Sequence, residues 1–157
     1  MIFTDAYERT IDARNRIQIP AEFRNGLDAE ADGDVFYLCP GERKNTLSLY
    51  PSRRFEALVN ALRTGRITGD ESLAFEQVFF SLVSRLEMDK QGRVVLPERQ
   101  FSMVKLGKEI TLAGANERID VWRASEYKEF VTANFEQRWH QLQRFLRTAG
   151  SEWEDKT

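Results

Sequence analysis

Asp12-Ala-Arg-Asn-Arg16-Ile-Gln-Ile-Pro20 returns later in the chain as Asp89-Lys-Gln-Gly-Arg93-Val-Val-Leu-Pro97. Asp12 and Asp89, Arg16 and Arg93, and Pro20 and Pro97 are each 77 positions apart. A constant offset over the whole stretch marks a repeat, and a repeat dictates architecture before any other reading. Each copy holds a short turn with a carboxylate at its start and an arginine at its end, then a β-rich run, then a proline that stops it. Asn15 occupies the place in the first turn that Gly92 occupies in the second, and both residue types tolerate a positive φ.

Working outward, Thr10-Ile11 and Ile17-Gln-Ile19 read as strands on either side of the first turn, while Phe3 to Arg9 has no strong periodicity. Pro20 and Pro97 suit the first turn of a helix, and Phe23/Leu27 and Phe101/Val104 put apolar residues on one side of it. Asn25-Gly26 and Gly107 are expected to end these helices. Val35-Phe-Tyr-Leu38 reads as a short buried strand, matched in the second half by Glu109-Ile-Thr-Leu112. Loops at Pro40-Gly41 and Ala113-Gly-Ala-Asn116 follow, then alternating strands at Thr46–Tyr50 and Arg118–Trp122, each ending in an aromatic residue. Ser52 and Ser125 sit at equivalent places as expected N-caps of amphipathic helices. The first helix carries Phe55, Leu58, Val59 and Leu62. The second carries Tyr127, Phe130, Val131, Phe135, Trp139, Leu142 and Leu146. Thr64 to Gly69 should break the first. Asp70 should cap a middle helix that has no twin, with Leu73, Phe75, Val78, Phe79 and Leu82. The expected layout is a first repeat over 1–70, a second over 71–148 with its preceding linker helix, and a loosely ordered polar tail over 149–157 anchored by Trp153.

Composition excludes several classes. With 41% hydrophobic and 31% charged residues among 157, the chain is that of a soluble globular protein large enough to bury a core. No apolar run approaches the ~18 residues that span a bilayer, and Met1-Ile-Phe-Thr-Asp5 does not resemble a secretory signal, so a cytoplasmic location is expected. One cysteine, Cys39, and one histidine, His140, supply neither a disulfide nor the usual ligands of a zinc site, and no metal or other cofactor is expected. Cys39 reads as a small buried apolar residue, and His140 as solvent-facing. Carboxylate pairs such as Glu87/Asp89 have no partner of defined role, so an enzyme with a small-molecule substrate is not expected. The net charge of −2 gives no general attraction to polyanions, so any nucleic-acid binding must come from local positive features multiplied in an oligomer.

The doubled Asp-x-x-x-Arg turn with its β-rich run and Pro, each copy followed by two strands and a helix, resembles the MraZ family of bacterial transcriptional regulators. The resemblance covers residues 1 to 146. It implies an α+β fold in which two tandem AbrB/SpoVT-type swapped-hairpin repeats form a small pseudo-symmetric β-barrel flanked by helices. It further implies a ring-shaped homo-oligomer, nucleoid-associated, that binds double-stranded DNA carrying tandem short repeats upstream of the division and cell-wall gene cluster and represses it. By position, the family's DNA-contacting arginine falls on Arg16, with Arg93 as its second-half equivalent. The basic residue two positions earlier falls on Arg14, where the second copy has Gln91. The chain departs from the family at Asn15, usually glycine, and lacks the usual glycine near the N-terminus.

On the residues alone, Arg16 could either pair with Asp12 and fix the turn, or reach phosphate or the O6/N7 edge of guanine. The resemblance favours contact with DNA by Arg14 and Arg16, supported by Lys90 and Arg93. Lys90 could equally be only solvated. Asp12, Asn15, Pro20, Asp89, Gly92 and Pro97 read as the structural part of the motif. The clusters Arg43-Lys44, Arg53-Arg54 and Arg63 with Arg66 read as solvated faces, and the aromatic residues other than Trp153 as core. Two alternatives remain at this stage: an AbrB-fold antitoxin-type autorepressor, and a non-enzymatic assembly protein that uses its helices for contacts.

Overall fold

The computed structural model describes residues 2–63 and 69–156. The first half contains β1 (Ala6–Thr10), β2 (Arg16–Gln18), α1 (Ala21–Asn25), β3 (Val35–Pro40), β4 (Leu47–Pro51) and α2 (Ser52–Arg63). After α3 (Asp70–Ser81) come β5 (Ser84–Glu87), β6 (Arg93–Val95), α4 (Glu98–Met103), β7 (Glu109–Ala115), β8 (Arg118–Arg123) and α5 (Ala124–Glu154). Residues up to Ala124 form one compact unit, and those from Ser125 onward form another. None of the described helices is long and apolar enough to cross a membrane.

Six strands make an antiparallel sheet in the order β1-β7-β8-β4-β3-β5, and β2 pairs with β6 in a separate ribbon. The first strand of each half is thus exchanged: β1 pairs with β7 of the second half, and β5 with β3 of the first. The flanks of each Asp-x-x-x-Arg turn therefore do not pair with each other as a simple hairpin would. The chain runs from one sheet edge, β1, into β2 and from the opposite edge, β5, into β6, so the ribbon joins both edges.

The register places a pseudo-two-fold axis. Ile17 lies opposite Val94, its own equivalent in the other half, and Ser48 lies opposite Asp120, again its equivalent. Ser48 Oγ donates to Asp120 Oδ1 at 3.0 Å on that axis. Ile17, Ile19, Val94 and Leu96 from the ribbon share one buried cluster with Leu38, Leu49, Leu112 and Val121 from the sheet. Burying this many branched side chains, each contributing about 1.5–3 kcal/mol, makes the ribbon a wall of the core and leaves its other face outward.

Several local expectations change. Ala6–Thr10 is a strand despite its weak pattern, because β7 offers it an edge. β4 is buried throughout and does not alternate, since α2 lays Phe55 against Tyr50 and Tyr37 on the face turned away from the main core. Ala113–Ala115 continue β7, and the following turn is made by Asn116 at φ 67°. α4 ends at Met103, and Lys105 takes the left-handed conformation ahead of Gly107. α2 and α5 start at Ser52 and Ala124, so neither Ser52 nor Ser125 is the cap; the Arg53 N–H is instead taken by the Asp32 carbonyl at 3.0 Å. Gly69, not Asp70, precedes α3 at the cap position. α5 runs unbroken through Glu154, and Trp153, expected as an anchor, is 80% exposed. The break expected from Thr64, the side chain of Arg63 and Arg66 lie outside the described residues. Phe75, Phe80, Phe135, Trp139 and Phe145 are exposed and not core, since the helices that carry them bury no residue.

Candidate nucleic-acid interface

The two motif turns carry the same hydrogen-bond network. In the first, Asp12 Oδ1 accepts from the backbone N–H groups of Arg14 and Arg16, both at 2.9 Å, and Asp12 Oδ2 accepts from Arg16 Nε at 2.6 Å. In the second, Asp89 Oδ1 accepts from Gln91 and Arg93 N–H, both at 2.9 Å, and Asp89 Oδ2 from Arg93 Nε at 2.8 Å. Asn15 N and Gly92 N each donate to the carbonyl of their aspartate at 3.0 Å. A short acidic side chain that captures its own backbone two and four residues on is a local alternative to sheet pairing, which is why aspartate heads the turn. These N–H donors, with the arginine at each turn, outweigh desolvation and hold both carboxyls below the usual aspartate range, the bond from the Arg16 or Arg93 N–H being the largest cause. Asn15 closes the first turn at φ 58° and Gly92 the second at φ 77°. Asp5, close to the N-terminus, is also left-handed at φ 72°.

The ribbon registers one turn against the other. Leu96 N donates to the Asn15 carbonyl at 2.7 Å, and Ile19 N to the Gly92 carbonyl at 3.0 Å, so the turns stand at opposite ends of the β2–β6 pair. Period-two alternation puts Ile17 and Val94 inward and Arg16, Gln18, Arg93 and Val95 outward. Gln18 opposes Arg93 and Arg16 opposes Val95. The two arginines thus lie on one face, with Arg14 exposed at one end of the ribbon and Lys90 exposed at the other. Each motif arginine is held at Nε by its carboxylate. Among the described residues, Nη1 and Nη2 of Arg16 and Arg93 donate no hydrogen bond. Pairing with aspartate and contact with a further anion are therefore compatible in one side chain, and the two readings of Arg16 need not compete.

Two contributors were not singled out from sequence. Gln18 Nε2 donates to the Gln91 carbonyl at 2.8 Å and ties the first strand to the second turn. Arg24 donates from Nε to the Ile19 carbonyl at 3.0 Å and lies so close to Gly92 that an added Cβ there would sit 2.5 Å from its side chain. Gln18 was legible, since alternation puts it on the same side as Arg16. Arg24 was not, because its contact depends on where α1 folds.

Of the other basic clusters, Arg43, Lys44 and Arg53 are exposed. Arg54, expected to be solvated, is half-buried. Its Nε pairs with Asp32 Oδ1 at 3.0 Å and its guanidinium lies 4.9 Å from the ring centroid of Phe3. Burial pushes the Asp32 carboxyl up, but the Asp28 N–H and Arg54 hold it below its ordinary value. Cys39 is buried, and desolvation pushes its thiol up to about 12, which removes thiolate reactivity. His140 is exposed on α5.

A family described as "MraZ protein, putative antitoxin-like" matches residues 2–74 and 79–152. A transcriptional regulator MraZ from Desulforamulus reducens is 32% identical over 139 residues, 87% of this chain and 94% of that relative. Proteins of the same name from Clostridium tetani and Clostridium acetobutylicum are 31% identical over 135 residues and 33% over 129. They cover 86% and 82% of this chain, and 91% and 87% of their own lengths.

Proposed function

The chain belongs to the MraZ family, and from that membership we infer that it is a non-enzymatic transcriptional regulator that binds double-stranded DNA through the outer face of the β2–β6 ribbon. The observation that carries this reading is the pair of matching carboxylate–arginine turns on one ribbon, each leaving the guanidinium end of its arginine unengaged. A two-stranded ribbon is narrow enough to enter the major groove, where arginine can donate two parallel hydrogen bonds to guanine or bridge phosphates. Arg14 and Arg16 act at one end, and Arg93 with Lys90 at the other. Asp12 and Asp89 orient the arginines, and Asn15, Gly92, Pro20 and Pro97 shape the turns. With four cations against two carboxylates, one ribbon is only weakly positive. Useful affinity then comes from a ring-shaped homo-oligomer in the cytoplasm, associated with the nucleoid, that presents several ribbons to tandem short repeats. By the family resemblance, the regulated genes are the division and cell-wall cluster, and the effect is repression.

The test is a titration of labelled duplexes carrying one repeat or several from the region upstream of the gene, at about 50 and 200 mM salt. Duplexes with several repeats should bind far more tightly and lose affinity steeply with salt. Arg16→Ala should weaken binding while leaving circular dichroism and multimer size unchanged. Equal affinity for wild type and Arg16→Ala would remove the ribbon from the mechanism.

A further inference from the structure

Two helices display apolar faces that the two halves do not share. α3 (Asp70–Ser81) is apolar on more than one side, a composition expected of a buried helix, yet it buries no residue. Phe79 stacks on Phe75 and on Phe55 of α2, which accounts for one side, while Leu73 and Val78 remain 56% and 61% exposed. Among the described residues the second half has no counterpart of α3. Phe135, Trp139, Leu142, Leu146, Ala149 and Trp153 follow one another at alternating four- and three-residue steps, the spacing of a helix-pairing seam. Phe135, Trp139, Leu142 and Leu146 are each more than 40% exposed. Contiguous apolar surface of this kind marks an interaction site.

Charge decides between the possible occupants. From Phe135 to Arg147, α5 carries Arg138, Arg144 and Arg147 against the single carboxylate of Glu136, whereas α3 carries Asp70, Glu71 and Glu76 and no cation. Pairing α5 with α5 would bring these arginines together. Pairing it with α3 sets a net charge of +2 against −3, and none of these groups takes part in an ion pair among the described residues. We propose that α5 of one copy docks on α3 of a second copy through the Phe135–Leu146 seam and this charge match. Such a contact joins two different surfaces, so repetition closes a ring when the rotation allows. The proposal supplies the interface of the oligomer in the reading above and rests on that reading only for there being an oligomer.

Charge reversal on the intact chain tests it, with mass measured by light scattering at micromolar concentration. Glu71→Lys with Glu76→Lys, and separately Arg144→Glu with Arg147→Glu, should each reduce the mass toward the 18.3 kDa of one chain. Combining the four should restore the multimer. In a Cys39→Ser background, Val78→Cys and Leu142→Cys proteins should form a disulfide when mixed and not when either is alone. Undiminished mass in both reversed proteins would overturn the interface, as would a disulfide formed by Leu142→Cys alone, which indicates α5–α5 pairing. These outcomes leave the DNA reading untouched, because loss of binding on Arg16→Ala is measured separately, on a protein whose α3 and α5 are unchanged. A wild type that is itself monomeric removes both the interface and the multivalency.

Discussion

The turns at Asp12–Arg16 and Asp89–Arg93 share every backbone bond to their aspartate and the same Nε ion pair, yet their outward residues differ. Arg14 stands where Gln91 does, and Asn15 where Gly92 does. Beside Gly92 lies Arg24, whereas the position equivalent to Arg24 in the second half is Phe101. The carboxylate that builds the turn was kept in both copies, while the residues that meet solvent were free to diverge. The comparison teaches that scaffold and reading head are separable within nine residues: each copy carries two cations, but the first holds both as arginine, Arg14 and Arg16, and the second as Lys90 and Arg93.

The largest expected effect is on DNA affinity. Arg16→Ala should weaken binding about ten- to a hundredfold, and Arg93→Ala distinctly less, as read by fluorescence anisotropy. Equal losses would erase the proposed difference between the copies. Next comes stability: Asp12→Ala and Asp89→Ala should each lower the Tm, by amounts agreeing within about 2 °C, because the networks match. Unequal falls would show that one turn supports the fold more than the other. Their pH dependence has a definite sign. Both carboxyls are depressed in the folded protein, so their contribution is complete above the ordinary aspartate value of 3.8 and disappears as pH falls through the lower folded values. Thermal melts from pH 6 downward should lose part of their acid sensitivity in the Asp12→Asn, Asp89→Asn protein.

A smaller effect separates the two left-handed residues. Gly92→Ala must strain φ 77° and push Arg24 from the Ile19 carbonyl, and should cost about 1–2 kcal/mol in denaturant melts. Asn15→Gly should change stability by less than about 0.5 kcal/mol, since asparagine already tolerates the conformation. The smallest change is a gain: Gln91→Arg places in the second turn the arginine that Arg14 supplies in the first, a third cation beside Lys90 and Arg93, and should tighten DNA binding a few-fold at low salt, an advantage that shrinks as salt rises.

The duplicated turn, its left-handed residue and most strand positions could be read from the chain, because Asp, Asn or Gly, β-branched runs and Pro each act on their own neighbourhood. Arg54 was misjudged because its partner, Asp32, is twenty-two positions away and its aromatic neighbour, Phe3, still further. The exposed aromatics of α3 and α5 were misjudged for a related reason. Helical periodicity identifies an apolar face but not whether anything in the same chain covers it.

By itself, then, the sequence determined that one unit occurs twice, that each copy turns on an aspartate, and that Arg14, Arg16, Lys90 and Arg93 lie in or beside those turns. Only the tertiary structure decided that β1 crosses to β7, that β5 crosses to β3, and that β2 meets β6, which puts both arginines on one outward face. A strand has two equivalent edges, and alternation says which side chains face inward but not which edge finds which partner. That choice is made by burying Ile17, Ile19, Val94 and Leu96 together in one core, a long-range gain that no local pattern records.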